Sequence, residues 1–242
     1  MTRKSESGNL SRAAAQRRAA ATGHVLTAVR PGVEERMAAG KTLRERVPRE
    51  SHARFARPAV VDPVAILQRQ ALTRLPDLVP VRYARMLQSP FAFLRGSAAV
   101  MAADLAPGAT TGLTVQACGD MHVANFGLFA SAERKLVFAI NDFDETRPGP
   151  WEWDVKRLAA SAYVAGQHLG ASKAGCKDAA RRIASSYRER MRQYARKGPL
   201  ATWYDTIDSE RLLEGCHPGR TSTLRPSWTR RAVARTSRCS TR

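Results

Sequence analysis

The chain has 242 residues with 43% apolar and 25% charged side chains, which excludes a fibrous repeat and wholesale disorder and suffices for one sizeable core. Its formal net charge is +19, but residues 1–60 hold 13 basic and 5 acidic groups, and residues 215–242 hold 7 arginines and no acid. The middle of the chain is therefore nearly balanced, and a dedicated nucleic-acid groove, which would concentrate charge on the folded body, is not expected.

Residues 1–57 read as a basic, partly disordered arm, with a helix expected at Ser11–Ala21 and another at Val33–Ala39, neither carrying an apolar stripe. Globular patterning begins at Asp62-Pro63, an N-cap followed by a first-turn proline. Val64, Leu67, Ala71, Leu72 and Leu75 then recur at helical spacing until Pro76. A short helix is expected over Pro80–Leu87, a strand over Phe91–Arg95, and a helix over Ser97–Leu105. Two further strands follow: Leu113–Ala117, and the continuous apolar run Leu136–Ile140, which predicts burial on both faces.

Trp153–Leu169 reads as a buried helix closed by Gly170. Lys173–Lys197 reads as an amphipathic one whose apolar face carries Ala180, Ile183, Ala184, Tyr187, Met191 and Tyr194, and Ala201–Leu213 as a last short helix. From Gly215 the chain has Arg, Ser and Thr but no Lys, Asp or Glu; this tail is expected to be unstructured and aberrant, as after a frameshift. No stretch is long and apolar enough to span a membrane, and the first residues lack the apolar run of a secretory signal. Cys118, Cys176, Cys216 and Cys239 lack Cys-x-x-Cys spacing, so no disulfide framework or zinc knuckle is indicated and the cytoplasm is the expected compartment.

Two polar clusters stand where strands end. Cys118-Gly119-Asp120-Met121-His122-Val123-Ala124-Asn125 follows the first strand, and Asn141-Asp142-Phe143-Asp144-Glu145 follows the apolar one. Strand ends deliver side chains into loops on a rigid scaffold, a common place for active sites. Asp120 and Asn125 are five apart, the separation of a kinase catalytic loop, and Asp142 follows Asn125 by 17 residues, as a separate metal-binding aspartate would. Phosphoryl transfer explains the set: a carboxylate orients the attacking hydroxyl, and hard oxygen donors hold magnesium on the phosphates.

Gly119–Asn125 resembles the GDxHxxN loop of aminoglycoside phosphotransferases. The blocks Ser89–Gly96 (SPFAFLRG), Gly119–Gly127 (GDMHVANFG), Asn141–Thr146 (NDFDET) and Pro150–Ser161 (PWEWDVKRLAAS) resemble, in order, the bacterial domain-of-unknown-function family 2252, a distant relative of protein kinases. The resemblance implies an α+β, two-lobed protein-kinase-like fold. Residues 58–107 would form a reduced N-lobe-like segment and 108–214 the catalytic-loop and helical segment, with the helical lobe incomplete at the C-terminus. It also implies roles: Asp120 as catalytic base, Asn125 and Asp142 as magnesium ligands assisted by Asp144, and Asp154 as anchor of the catalytic loop with Arg157 one turn on. His122 shapes the loop. The co-substrate would be ATP with Mg2+, and the acceptor an unknown small molecule or protein, with no membrane involved.

The chain departs from the phosphotransferase pattern in having Cys118 where a histidine is usual and Asp144 where a glycine is usual. It shows no Gly-rich loop with a strand lysine: between Lys4 and Lys135 the only lysine is Lys41. An arginine must then meet the phosphates, with Arg95 as first candidate and Arg82 and Arg85 behind it; a rigid fork replaces a point charge. The missing lysine favours a second reading, a kinase-fold protein that binds nucleotide or a partner without turnover. A metallophosphoesterase would need several more histidines after the Gly119–His122 loop, and only His168 and His217 follow.

Overall fold

The structure is a computed structural model that describes residues 31–55 and 62–215. The expected helix at Ser11–Ala21 and the Arg-rich tail lie outside the described residues. Contacts divide the chain into two units, Met1–Arg46 and Val47–Arg242. The first contributes α1 (Val33–Arg46), a helix with no buried residue that runs past the expected end at Ala39. Glu34 and Glu35 open it, and Arg44 and Arg46 close it, in line with its dipole.

In the second unit, α2 (Pro63–Ala71) starts as its sequence predicts: Asp62 Oδ1 accepts the Val64 N–H at 2.8 Å, and Pro63 needs no donor partner there. α3 (Val79–Met86), α4 (Pro90–Gly96) and α5 (Ala98–Leu105) follow. Leu67, Met86 and Val100 from α2, α3 and α5 form the main apolar cluster, with Ile66 and Tyr83 packed on it. The Tyr83 hydroxyl donates to the Leu67 carbonyl at 3.2 Å, so its polar end is satisfied inside the cluster.

The strand expected at Phe91–Arg95 is instead α4. Ser89 Oγ accepts the Ala92 N–H at 3.0 Å and Pro90 occupies the first turn. This N-cap outweighs the β-preference of the aromatic residues, which is a weak signal over five positions.

The strands form two separate antiparallel ribbons. β1 (Thr114–Ala117) pairs with β4 (Arg147–Pro150), and β2 (Phe126–Ala130) pairs with β3 (Leu136–Ile140). The sequence reading misses β2, which abuts the polar cluster, and β4, whose two prolines are tolerated because each ribbon strand has a free edge. The apolar run at β3 is not buried on both faces: only Val137 is buried, because the strand has one full partner and, on its other edge, only a local pairing in which the Phe138 N–H donates to the Ile207 carbonyl at 2.7 Å.

This topology places the two polar loops side by side. Ala117 pairs with Arg147, so the first loop starts where the second ends. Phe126 pairs with Ile140, so the first loop ends where the second starts.

α6 (Trp151–His168) and α7 (Lys173–Arg196) form a helical hairpin. Gly170, at φ +76°, ends α6 as a left-handed cap; its N–H donates to the Gln167 carbonyl and that of Ala171 to the Gly166 carbonyl. Ser172 then caps α7 through the Gly175 N–H. The α7 face toward α6 carries Cys176, fully buried, with Ala180, Ile183, Tyr187 and Tyr194 partly buried; Ala184 and Met191, expected on this face, are exposed. α6 is not the uniformly buried apolar helix its composition suggests. Its three buried side chains are Glu152, Arg157 and Ser161.

The single helix expected at Ala201–Leu213 is two, α8 (Pro199–Trp203) and α9 (Ser209–Gly215), separated where Asp205 accepts from both Lys197 and Arg211. The architecture is therefore α+β with small sheets. Among the described residues no helix is long and apolar enough to cross a membrane.

A Cβ built on Gly166 would lie 3.0 Å from Cys176 Sγ and 3.6 Å from its Cα, so the α6–α7 hairpin closes on a glycine. Gly166→Val is expected to lose about 1–3 kcal/mol in urea unfolding through overpacking. Gly175→Ala, on the exposed first turn of α7, is expected to be neutral or to gain up to about 1 kcal/mol.

Candidate active site

The buried side of α6 supplies the floor of the site. Asp154, Arg157 and Ser161 are three and four residues apart and so share one face. Asp154 Oδ2 accepts the Cys118 N–H at 2.8 Å and its Oδ1 accepts the Gly119 N–H at 3.1 Å. Ser161 Oγ accepts the Val123 N–H at 3.0 Å and donates to the Leu158 carbonyl. Between them Arg157, only 2% exposed, donates through Nε and Nη2 to Asp120 Oδ1, and through Nη2 to the Leu94 carbonyl at 2.6 Å. Three donors of an irregular loop and its one central carboxylate are thus satisfied by a single helix. Two residues before Asp154, Glu152 Oε1 accepts the N–H and hydroxyl of Thr111, both at 2.7 Å, and fixes the chain entering β1.

Gly119 is required by this arrangement. Its φ is +81°, and a Cβ there would fall 2.3 Å from the Glu145 carbonyl oxygen, where the second loop passes.

Asn125 joins the two loops. It is 4% exposed; its Nδ2 donates to the carbonyls of Asp120 and Asp142, each at 3.1 Å, and its Oδ1 accepts the Asp142 N–H at 3.0 Å. The reversed amide would set donor against donor, so this orientation is fixed by its partners. The resemblance makes Asn125 a magnesium ligand; here its oxygen is already engaged by a backbone N–H inside the protein, and the residue positions both loops. The Asp142 carboxylate lies outside, with Oδ1 accepting the Asp144 N–H at 3.1 Å; the Asp144 side chain is also exposed.

Burial on its own would raise the Asp120 pKa. The hydrogen bond from His122 and the charge and hydrogen bond of Arg157 outweigh it and hold the carboxyl below its ordinary range. His122, 5% exposed, reaches Asp120 Oδ2 at 3.5 Å, and its ring meets Phe91 edge-on at 6.5 Å. Phe91 stacks on His168 on its other side, so an aromatic wedge from α4 sets the histidine. Cys118 is buried and its thiol is pushed up, first by burial and then by Asp154, which suits a small packing residue rather than a nucleophile.

Arg95 is exposed on α4, not at a strand end. Arg85 is exposed on α3, whereas Arg82, also on α3, is partly buried and donates through Nη2 to the Gly96 carbonyl. A cavity of about 350 Å³ opens beside the loop, lined by Met101, Gly119, Glu145, Arg147, Asp154 and Arg157. A larger groove of about 580 Å³ between α2 and α5 shares none of the site residues.

Among the described residues no three His, Cys, Asp or Glu side chains converge as a zinc or dinuclear centre requires. Asp142 and Asp144 carry exposed carboxylate oxygens, the type of donor that hard cations take. The sequence reading misses Ser161, Glu152 and Thr111. The signal for Ser161 is present in the chain: Asp154, Arg157 and Ser161 form a polar row at helical spacing in an otherwise Ala-rich helix.

Residues 74–241 match the family described as "Uncharacterized protein conserved in bacteria (DUF2252)", and the chain belongs to that family. The match includes every residue of the site and continues through the Arg-rich segment. No curated protein and no solved structure matches the chain.

Two outcomes follow from the Arg157–Asp120–Asn125 chain of contacts. Arg157→Met leaves a largely buried carboxylate without its guanidinium and is expected to cost about 3–5 kcal/mol in urea unfolding. Because the Asp120 pKa is lowered by folding, its contribution is present above the ordinary carboxylate range and is lost as pH falls through the folded value. The stability difference between wild type and Asp120→Asn should be constant above about pH 5 and shrink below it, as read from unfolding midpoints across a pH series.

Proposed function

We propose that the chain is a magnesium-dependent phosphotransferase of protein-kinase-like architecture, moving the γ-phosphate of ATP to a hydroxyl of a small-molecule or protein acceptor. The observation that carries this reading is the Asn125 bridge, which locks the loop bearing Asp120 beside the loop bearing Asp142. Phosphoryl transfer asks for that pairing, one carboxylate for the acceptor and another for the metal.

The donor set fits magnesium, which takes one or two carboxylates and fills its other positions with water and phosphate oxygens. Asp142 would hold it with Asp144 assisting, and bound there it would neutralise charge on the phosphates. Asp120 supplies orientation. Its Oδ1 is taken by Arg157, and Oδ2, with only the long contact to His122, is left to accept a hydrogen bond from the acceptor hydroxyl. A carboxyl with a lowered pKa is a weak base, so the proton leaves the hydroxyl late, as the new P–O bond forms and the β–γ bridging bond breaks. Arg157 and His122 keep the carboxylate charged and aimed throughout.

The engaged Asn125 oxygen supports the second reading, a protein of the same fold that binds nucleotide without turning it over. The two separate by experiment. If the chain is a phosphotransferase, Asp120→Asn should lower turnover by about 10²–10⁴-fold while keeping Mg-ATP affinity. Asp142→Ala should weaken Mg-ATP binding in calorimetry, and unchanged binding would remove the metal role. Stabilisation of wild type by Mg-ATP with no phosphate release or transfer would select the binding protein.

A further inference from the structure

Beside the first polar loop, the cavity of about 350 Å³ opens between α5, the β1–β4 ribbon and the first turns of α6. Its lining is of two kinds. Ala98, Ala99, Ala102 and Ala103 of α5 give an apolar wall on which no side chain extends beyond a methyl group, and Trp153 of α6 brings an indole to the same space. Glu145 and Arg147, where the second loop enters β4, are the exposed charges of the lining.

The two remaining charges of the lining are already engaged. Asp154 gives its oxygens to the Cys118 and Gly119 N–H groups, and the Arg157 guanidinium serves Asp120, the Leu94 carbonyl and the Met101 sulfur. An incoming molecule is therefore offered one carboxylate, one guanidinium and an apolar body of space. A ligand with a single negative charge is attracted by Arg147 and repelled by Glu145, and one with a single positive charge meets the reverse. A zwitterion satisfies both. The volume lies at the lower end of the span for small-molecule sites, about 300–1,000 Å³, and suits a molecule of amino-acid size. A planar ring fits between the alanine wall and the Trp153 indole, where a pair of aromatic rings gains more than its buried area alone.

We propose that this cavity binds a free α-amino acid with an aromatic side chain, its carboxylate on Arg147, its ammonium on Glu145 and its ring between the α5 alanines and Trp153. The inference stands apart from the phosphotransferase reading, because no nucleotide or metal enters it. It also bears on the site. Gly119 and Arg157 line the same space and belong to the contacts that set the loop carrying Asp120, so a ligand held there touches two residues on which that loop depends.

The test is calorimetry on the full chain, without nucleotide or magnesium, titrating L-phenylalanine, phenylpropanoate (no ammonium), phenylethylamine (no carboxylate) and glycine (no ring). Wild type should bind L-phenylalanine and hold each of the other three at least about tenfold more weakly. Arg147→Gln and Glu145→Gln, both exposed substitutions, should each weaken L-phenylalanine by a similar factor, and Ala102→Leu should abolish its binding by filling the space. Circular dichroism checks that Ala102→Leu is folded; if it is not, the two exposed variants decide. No saturable binding of L-phenylalanine to wild type overturns the proposal. So does phenylpropanoate or phenylethylamine binding as tightly as the zwitterion, or L-phenylalanine affinity that Arg147→Gln and Glu145→Gln leave unchanged.

Discussion

The site depends on one helix face satisfying the backbone of one loop. Residues Cys118 to Asn125 run through the interior largely without regular secondary structure, and buried N–H groups must find acceptors. α6 provides them through Asp154 and Ser161, and between these it places Arg157 against Asp120. Removing that row would leave loop donors and a carboxylate in a low-dielectric setting without partners. This explains why the buried members of α6 are polar while the helix as a whole is rich in alanine. The apolar cluster of Leu67, Met86 and Val100 holds α2, α3 and α5 together; the polar row on α6 determines where the first polar loop lies.

The second constraint is topological. Two short ribbons, each only two strands wide, pin the first polar loop to the second at both ends. The Asn125 carboxamide then cross-links the middle, with one oxygen and one nitrogen making three backbone contacts. Gly119 permits the close approach to the Glu145 backbone, and Gly127 does the same beside Asn141, whose Nδ2 would lie 2.1 Å from any Cβ there. Small ribbons have little stability of their own, so these cross-links and the packing of α6 hold the loops in register.

Arg82 and Arg157 lie toward the end of α4, and Asp142 and Asp144 lie exposed on the second loop. The hydrogen bond from His122 and the guanidinium of Arg157 hold the Asp120 carboxyl below its ordinary range even though burial opposes its charge. Such a carboxylate is a strong hydrogen-bond acceptor and a weak base. The His122–Phe91–His168 stack ties that acceptor to α4 and to the end of α6, so the first loop is set by packing as well as by hydrogen bonds.

What the sequence determined by itself is local. Caps and breakers marked helix limits where, as at Asp62-Pro63 and Gly170, they act on their immediate neighbours. The order of the polar clusters after two strands, and the spacing of Asp120, Asn125, Asp142, Asp154 and Arg157, marked the residues that the fold brings together. Over short segments local signals compete: aromatic residues suggested a strand at Phe91–Arg95 where the Ser89 cap and Pro90 start a helix, and an apolar run suggested a central strand where β3 has one full partner. Tertiary structure alone decided that Asn125 turns its oxygen to the Asp142 N–H, that Ser161 joins Asp154 and Arg157 beneath the loop, and that Arg82 reaches the Gly96 carbonyl while Arg95 is exposed. Each is a choice of hydrogen-bond partner far along the chain, and such a choice is made by which backbone groups remain unsatisfied once helices and ribbons have packed.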